Sequence, residues 1–340
     1  MKKISLALLV YFFVQITFSQ NFKIINNEAI HFNLKQKRDS IDFVLIDTKL
    51  DNKKPIFLFC QGSLPLPLFV QPQNEKMWMI GGGITNFDYL KIIEKYHLIV
   101  ISMPHTPVVV GDKNLSQSYC YVPDATKPDQ FLDEYVKADY LENYEKRAQV
   151  VLKFLRKQKW VDNSKLVVAG HSQGSKVATL IALNNKNVSH LGLFSSNPFG
   201  RIDQLIRDYR KSAEKNEITW KEADEKIELK YQMYRDSYDE NKCKSDPNLL
   251  AWKSFSRPLI NDWLQINIHT YLAYGTNDIA SDLCDIVPLF YIQKGKTNLT
   301  YKRYLNLEHN FYEVKDNGES DYEKGHWEEV MNEFLQWTLK

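Results

Sequence analysis

The sequence has no surplus of charge of either sign. Its 340 residues carry 44 Lys and Arg against 42 Asp and Glu, a formal net charge of +2. Nucleic-acid binding through phosphates needs clustered excess cations, so that class of partner is excluded. The same balance excludes an acidic disordered chain. Cysteine is scarce: Cys60, Cys120, Cys243 and Cys284 are the only four. They are too few and too widely spread for a disulfide framework or a paired-thiolate metal site. One bridge among them and a set of buried free thiols both stay open. The eight His show no metal-ligand spacing, so no metal is expected, and no cofactor. Gly81-Gly82-Gly83 lacks the Lys-Ser/Thr that a phosphate loop carries, and it reads as a flexible loop. There is no internal repeat of about 20 to 50 residues, which excludes a solenoid or propeller. After the N-terminal segment, no apolar run is long enough to span a bilayer.

What is present begins with that segment. Lys2 and Lys3 precede an unbroken apolar run from Leu6 to Val14, the layout of a secretory signal peptide. Gln15, Thr17, Ser19 and Gln20 end the run short of the roughly 20 apolar residues that spanning needs. Residues 1–20 are therefore expected to direct export, to the periplasm or medium, with no stable membrane anchor. They hold two Lys and no acid, so 42 charges of each sign remain in residues 21–340. The +2 belongs to the export signal.

The rest alternates apolar runs with amphipathic segments. Ile41–Thr48, Pro55–Cys60, His97–Met103, Leu166–Ala169, His190–Phe194, Thr270–Tyr274 and Leu299–Leu305 read as strands. Phe87–Tyr96, Asp139–Lys159, Ser172–Leu183 and Trp327–Leu339 read as helices. This rhythm predicts an α/β domain over residues 21–340, a mostly parallel doubly wound sheet of about eight strands. One stretch breaks the rhythm. Arg201 to about Lys242 is charged and helix-prone, and Thr219-Trp220-Lys221-Glu222 matches a capping box. Residues 201–262 are expected to form an inserted helical lobe, a lid or cap above the strand ends.

Gly170-His171-Ser172-Gln173-Gly174 joins a predicted strand to a predicted helix. That context gives G-x-S-x-G its meaning: a sharp turn exposes a serine hydroxyl at a helix N-terminus. There the backbone N–H of Gln173 can face a developing oxyanion. A serine needs a base held by an acid, and the order here is serine, acid, histidine. Asp278 lies just past the strand Thr270–Tyr274. Asp282 and Asp285 compete with it, but they sit where a helix begins. The base is His309, in Leu307-Glu308-His309-Asn310-Phe311 before the last helix; His326 starts that helix and would aim away. A second oxyanion donor is expected from the loop after Pro55–Cys60, at the N–H of Ser63, with Gly62 as hinge. Leu64 to Phe69 either lines a pocket or packs the core. His105 reads as structural.

These segments resemble the α/β-hydrolase superfamily. The resemblance rests on GHSQG at Ser172, YGTND at Asp278, EHNF at His309 and QGS at Gln61–Ser63. It implies catalysis by Ser172, His309 and Asp278 through an acyl-enzyme. The expected activity is an exported serine hydrolase acting on a carboxylic ester of a small molecule or peptide. Peptide, amide or thioester cleavage by the same triad is the alternative, and a non-catalytic ligand-binding protein is the alternative of another class.

Overall fold

Runs rich in Val, Ile, Leu and Phe can bury both faces of a strand, and here they build one central sheet. The computed structural model describes residues 22–36, 40–124, 126–128 and 130–340. The reading of residues 1–20 as a signal peptide lies outside the described residues. The sheet has nine strands: β1 (Phe22–Ile25), β2 (Ala29–Lys35), β3 (Ser40–Ile46), β4 (Lys54–Cys60), β5 (His97–Ile101), β6 (Val161–His171), β7 (His190–Phe194), β8 (His269–Gly275) and β9 (Leu299–Tyr304). Their order is β1-β2-β3-β5-β4-β6-β7-β8-β9. All pairings from β5 to β9 are parallel. The β1, β2 and β3 pairings, including β3 to β5, are antiparallel.

The hairpin β1–β2 is absent from the sequence reading. Three of the four β1 residues are exposed, so no buried alternation marks it. Its signal is the Asn26-Asn27 turn, both residues at positive φ (51° and 56°), as a tight hairpin turn demands.

Eleven helices are described: α1 (Tyr89–Lys95), α2 (Asp133–Ala138), α3 (Leu141–Leu155), α4 (Gln173–Asn184), α5 (Arg201–Glu214), α6 (Trp220–Asp236), α7 (Glu240–Ser245), α8 (Asn248–Phe255), α9 (Ile260–Gln265), α10 (Val287–Gln293) and α11 (Trp327–Thr338). Strand alternation feeds two cores. In β4, Ile56 and Leu58 face α3, α4, α9 and α10, while Phe57 and Phe59 face α1 and α11. Among the described residues no helix is long and apolar enough to cross a membrane, and the four cysteines are free thiols.

Helices α5 to α9 fill the connection from β7 to β8. Thr219 caps α6: its hydroxyl accepts from the Glu222 N–H at 3.1 Å, and the Glu222 carboxylate accepts from the Thr219 N–H at 2.7 Å. The excursion leaves and re-enters through a tight neck. Gly200 has φ 104°, and a Cβ there would lie 2.4 Å from the Ser256 carbonyl oxygen. The N–H groups of Leu259 and Ile260 both donate to Pro198 O, at 2.8 and 3.0 Å.

Gly81 to Gly83 form no loose loop. They start a run of tight turns, with φ of 58°, 66° and 95°. A Cβ on Gly82 would lie 2.8 Å from Gln61 Cβ. Gly82 is there because this turn packs directly behind the loop after β4, while Gly81 lies tight against Ile84 and Met79.

Candidate active site

The C-terminal ends of parallel strands are where such sheets present functional groups, and five of these ends converge here. Ser172 follows β6 and is the N-cap of α4, with φ 54° and ψ −121°. This is a strained conformation for a residue with a side chain. Its flanking glycines explain how the turn closes. A Cβ on Gly170 would lie 2.2 Å from Gly174 O, and one on Gly174 would lie 2.0 Å from Cys60 O. The Ser172 N–H donates to Phe194 O at 2.9 Å, tying the turn to the end of β7.

Asp278 follows β8 and is 3% exposed. A Cβ on Gly275 would meet Leu307 O at 2.1 Å, so only glycine lets the loop after β8 lie against the loop carrying His309. His309 Nδ1 lies 2.9 Å from Asp278 Oδ2, and His309 Nε2 lies 2.8 Å from Ser172 Oγ. The three residues singled out in the sequence thus form one hydrogen-bonded line.

The competing acids and histidines are engaged elsewhere. Asp282 pairs with Arg207 and Lys211. Asp285 accepts from the Tyr274 hydroxyl at 2.6 Å. His326 lies within 3.2 Å of Glu313 and 3.1 Å of Glu329, and His105 is exposed.

Neighbouring groups fix the charges of the line. Burial alone would raise the Asp278 carboxyl, but hydrogen bonds and charge from His309, with donors Ser281 Oγ and Ala280 N–H, hold it below the usual carboxylate range. Burial alone would lower His309, but the Asp278 hydrogen bond and charge outweigh it and raise the imidazole above its ordinary value.

The His309 backbone is held independently of its ring. Its carbonyl oxygen accepts from Ser195 Oγ at 2.7 Å and lies 2.9 Å from His171 Nε2. Burial and the nearby His309 push His171 down to about 3, so it is neutral and donates through Nε2. Phe311 is fully buried, 4.8 Å from the Trp327 ring, and anchors the turn. Sequence reasoning missed these supports, because nothing in the pattern of the chain marks which buried His or Ser meets a distant carbonyl.

The loop after β4 brings Ser63 to the same place. Gln61 Nε2 donates to Ile101 O at 2.7 Å and ties the loop to β5. Ser63, Ser172, Gln173 and His309 all line one cavity of about 430 Å³. Leu64, at φ 81°, also reaches it, whereas Leu68 and Phe69 are fully buried core. The far wall comes from α2, α5 and α8, and includes Tyr135, Arg201 and Trp252.

No protein-family profile matches the chain, and no curated protein does. Solved structures are similar in fold. One is a Bacteroides ovatus structure assigned as a dipeptidyl aminopeptidase IV, 12% identical, covering 90% of this chain and 35% of its own, with a TM-score of 0.52. Another is an uncomplexed Pyrococcus horikoshii acylaminoacyl peptidase, 13% identical, covering 90% and 41%, with a TM-score of 0.50. The chain thus spans well under half the length of these structures. What it shares with them is the architecture: this chain has the α/β-hydrolase fold.

Proposed function

We propose that the protein is an exported serine hydrolase that cleaves a carboxylic ester through an acyl-enzyme. The observation that carries this reading is the line Asp278–His309–Ser172, with contacts of 2.9 and 2.8 Å, ending at a cavity. Ser172 Oγ attacks the ester carbonyl while His309 Nε2 takes its proton. Asp278 keeps the Nδ1 proton in place and stabilises the imidazolium. The backbone N–H groups of Gln173, at the start of α4, and Ser63 donate to the oxyanion. His309 then protonates the leaving alkoxide, and water activated by the same ring releases the acid. The lobe of residues 201–262 acts as a lid, since α5 and α8 wall the cavity. Export rests on the reading of residues 1–20.

A fluorophosphonate probe tests the nucleophile. Labelling of the wild type that disappears in Ser172→Ala supports the reading, and a wild type that stays unlabelled sinks it. A panel of alkyl esters, thioesters and peptide amides then separates the ester from the alternatives.

The pH profile tests the base. His309 must be neutral to accept a proton, and its pKa is raised. Activity is therefore present above that pKa and lost as pH falls through it, with a midpoint of kcat/KM above about 6.5. Asp278→Asn removes the carboxylate that raises it most, so the midpoint should fall as kcat drops by about 10⁴-fold. An unmoved midpoint would show that another group titrates.

A further inference from the structure

The cavity over Ser172 holds more hydrogen-bond donors and more positive charge than its own acceptors use. Arg201, at the first position of α5, has five N–H donors in a rigid plane. One nitrogen donates to Gln173 Oε1 at 2.6 Å. Trp252 and Phe255 lie over the guanidinium, with ring centroids at 5.2 and 5.1 Å. These contacts fix its plane, and its remaining donors are left for the cavity it lines. Among the described residues no carboxylate forms an ion pair with it.

Two further donors share this wall. Lys176 is 6% exposed and donates to Phe255 O at 2.6 Å, which uses one of its three N–H groups. Asn197 is 3% exposed, and its Oδ1 accepts from the N–H groups of Phe199 and Gly200 at 2.8 and 2.7 Å. That fixes the amide orientation, and its Nδ2 has no acceptor.

Of the nearby acids, Asp139 lines the same cavity and its charge acts on Arg201, so it offsets part of the positive charge there; its hydrogen bonds are made to other groups. Asp139 Oδ1 accepts from the Tyr144 hydroxyl at 2.8 Å and from Gln173 Nε2 at 3.4 Å. Asp203 pairs with Arg207 at 2.9 Å. Burial, and then the charge of Arg201, push the Lys176 ammonium down to about 7. Buried donors without acceptors are costly, and a ligand bringing acceptor oxygens with a negative charge would relieve that cost.

We infer that Arg201, Lys176 and Asn197 form a subsite for an anionic group on the substrate, carboxylate or phosphate, so that the ester cleaved belongs to an acid carrying a second negative charge. Gln173 sets the spacing. It follows Ser172 directly, and its side chain holds Arg201. The anion and the reacting carbonyl are then about one side chain apart, the span of a short dicarboxylic hemiester. The ester part of this inference rests on the proposed hydrolase reading; the anion site does not.

The test compares p-nitrophenyl hemiglutarate, p-nitrophenyl 4-phosphonobutyrate, neutral p-nitrophenyl valerate and cationic p-nitrophenyl 4-(trimethylammonio)butyrate. The wild type should favour an anionic ester over valerate by at least about tenfold in kcat/KM. Arg201→Gln should lower that ratio by about tenfold or more, mainly through KM, with partial return in Arg201→Lys. A lead for hemiglutarate identifies the group as carboxylate, and a lead for the phosphonate identifies it as phosphate. Preference for the neutral or cationic ester overturns the inference, as does an equal fall for every ester in Arg201→Gln. A second arm needs no turnover: calorimetry of glutarate binding to Ser172→Ala, with and without Arg201→Gln. Arg201-dependent binding together with a wild type inert to all esters keeps the anion site and rejects the hydrolase. Ester turnover in the wild type with no Arg201-dependent binding does the reverse.

Discussion

Replacing His309 with alanine is expected to lower kcat on an activated ester by at least about a thousandfold while leaving stability nearly unchanged. That loss corresponds to about 4 kcal/mol of transition-state stabilisation. The size follows from the absence of a substitute. His171 is the histidine nearest the line, with its ring centroid 5.0 Å from that of His309, but its Nε2 is committed to the His309 carbonyl. His326 is held by Glu313 and Glu329. The small effect on folding has a separate cause. The carbonyl of residue 309 is anchored by Ser195 and His171, and the turn by Phe311, and none of these contacts uses the imidazole. Stopped-flow or steady-state rates beside a denaturant unfolding curve read both quantities. A near-normal rate would move the base elsewhere, and a large drop in stability would mean the ring carries packing as well as chemistry.

The second large effect is structural. Gly174→Ala is expected to cost about 3 kcal/mol or more, because the new methyl would lie 2.0 Å from Cys60 O and 2.5 Å from Gln61 O. Neither atom is a side-chain end that can swing aside. Both belong to the backbone that leads from β4 into the loop bearing Ser63. Relief of the clash must push α4 away from β4, which separates the N–H of Gln173 from that of Ser63. The variant should therefore lose activity even where it still folds. Gly62→Ala is the contrast: its methyl would meet only His171 O at 4.0 Å, and its stability should stay within about 1 kcal/mol of wild type. Equal unfolding midpoints for the two variants would show that the close approach of α4 to β4 yields without cost.

How much of this was legible in the chain depended on how local each cause is. The strands β4 to β8 were readable because each holds a run of residues buried on both faces and so is written as a continuous apolar stretch; Leu166 to Ala169 is the clearest case, whereas the edge strand β9 is mostly exposed. The residues of the Asp278–His309–Ser172 line were readable because each follows a strand in a fixed order. The hairpin β1–β2 was not, since its exposed edge leaves no buried pattern. The helix read over Asp139–Lys159 is α3, Leu141–Leu155, and the short α2 before it, which ends at Ala138, was not read. Gly82 was misread because its necessity comes from Gln61, about twenty residues away in sequence. Arg201, Lys176 and Asn197 were invisible as a group. Many charged residues of this lobe are solvated, and only the packing of Trp252 and Phe255 decides which cation turns inward.

The neck at Gly200 and Ser256 has a consequence for how this protein can change. Because the chain re-enters beside the point where it left, the distance from β7 to β8 does not depend on what lies between. The excursion is a cassette anchored at one end: Ala251 and Phe255 belong to the main core, so an exchange that keeps α8 can vary the rest without shifting any strand. Arg201 and Trp252 lie inside the cassette, while Ser172, Asp278 and His309 lie outside it. A lineage, or a designer, can therefore redraw what the cavity accepts while inheriting the reacting groups untouched.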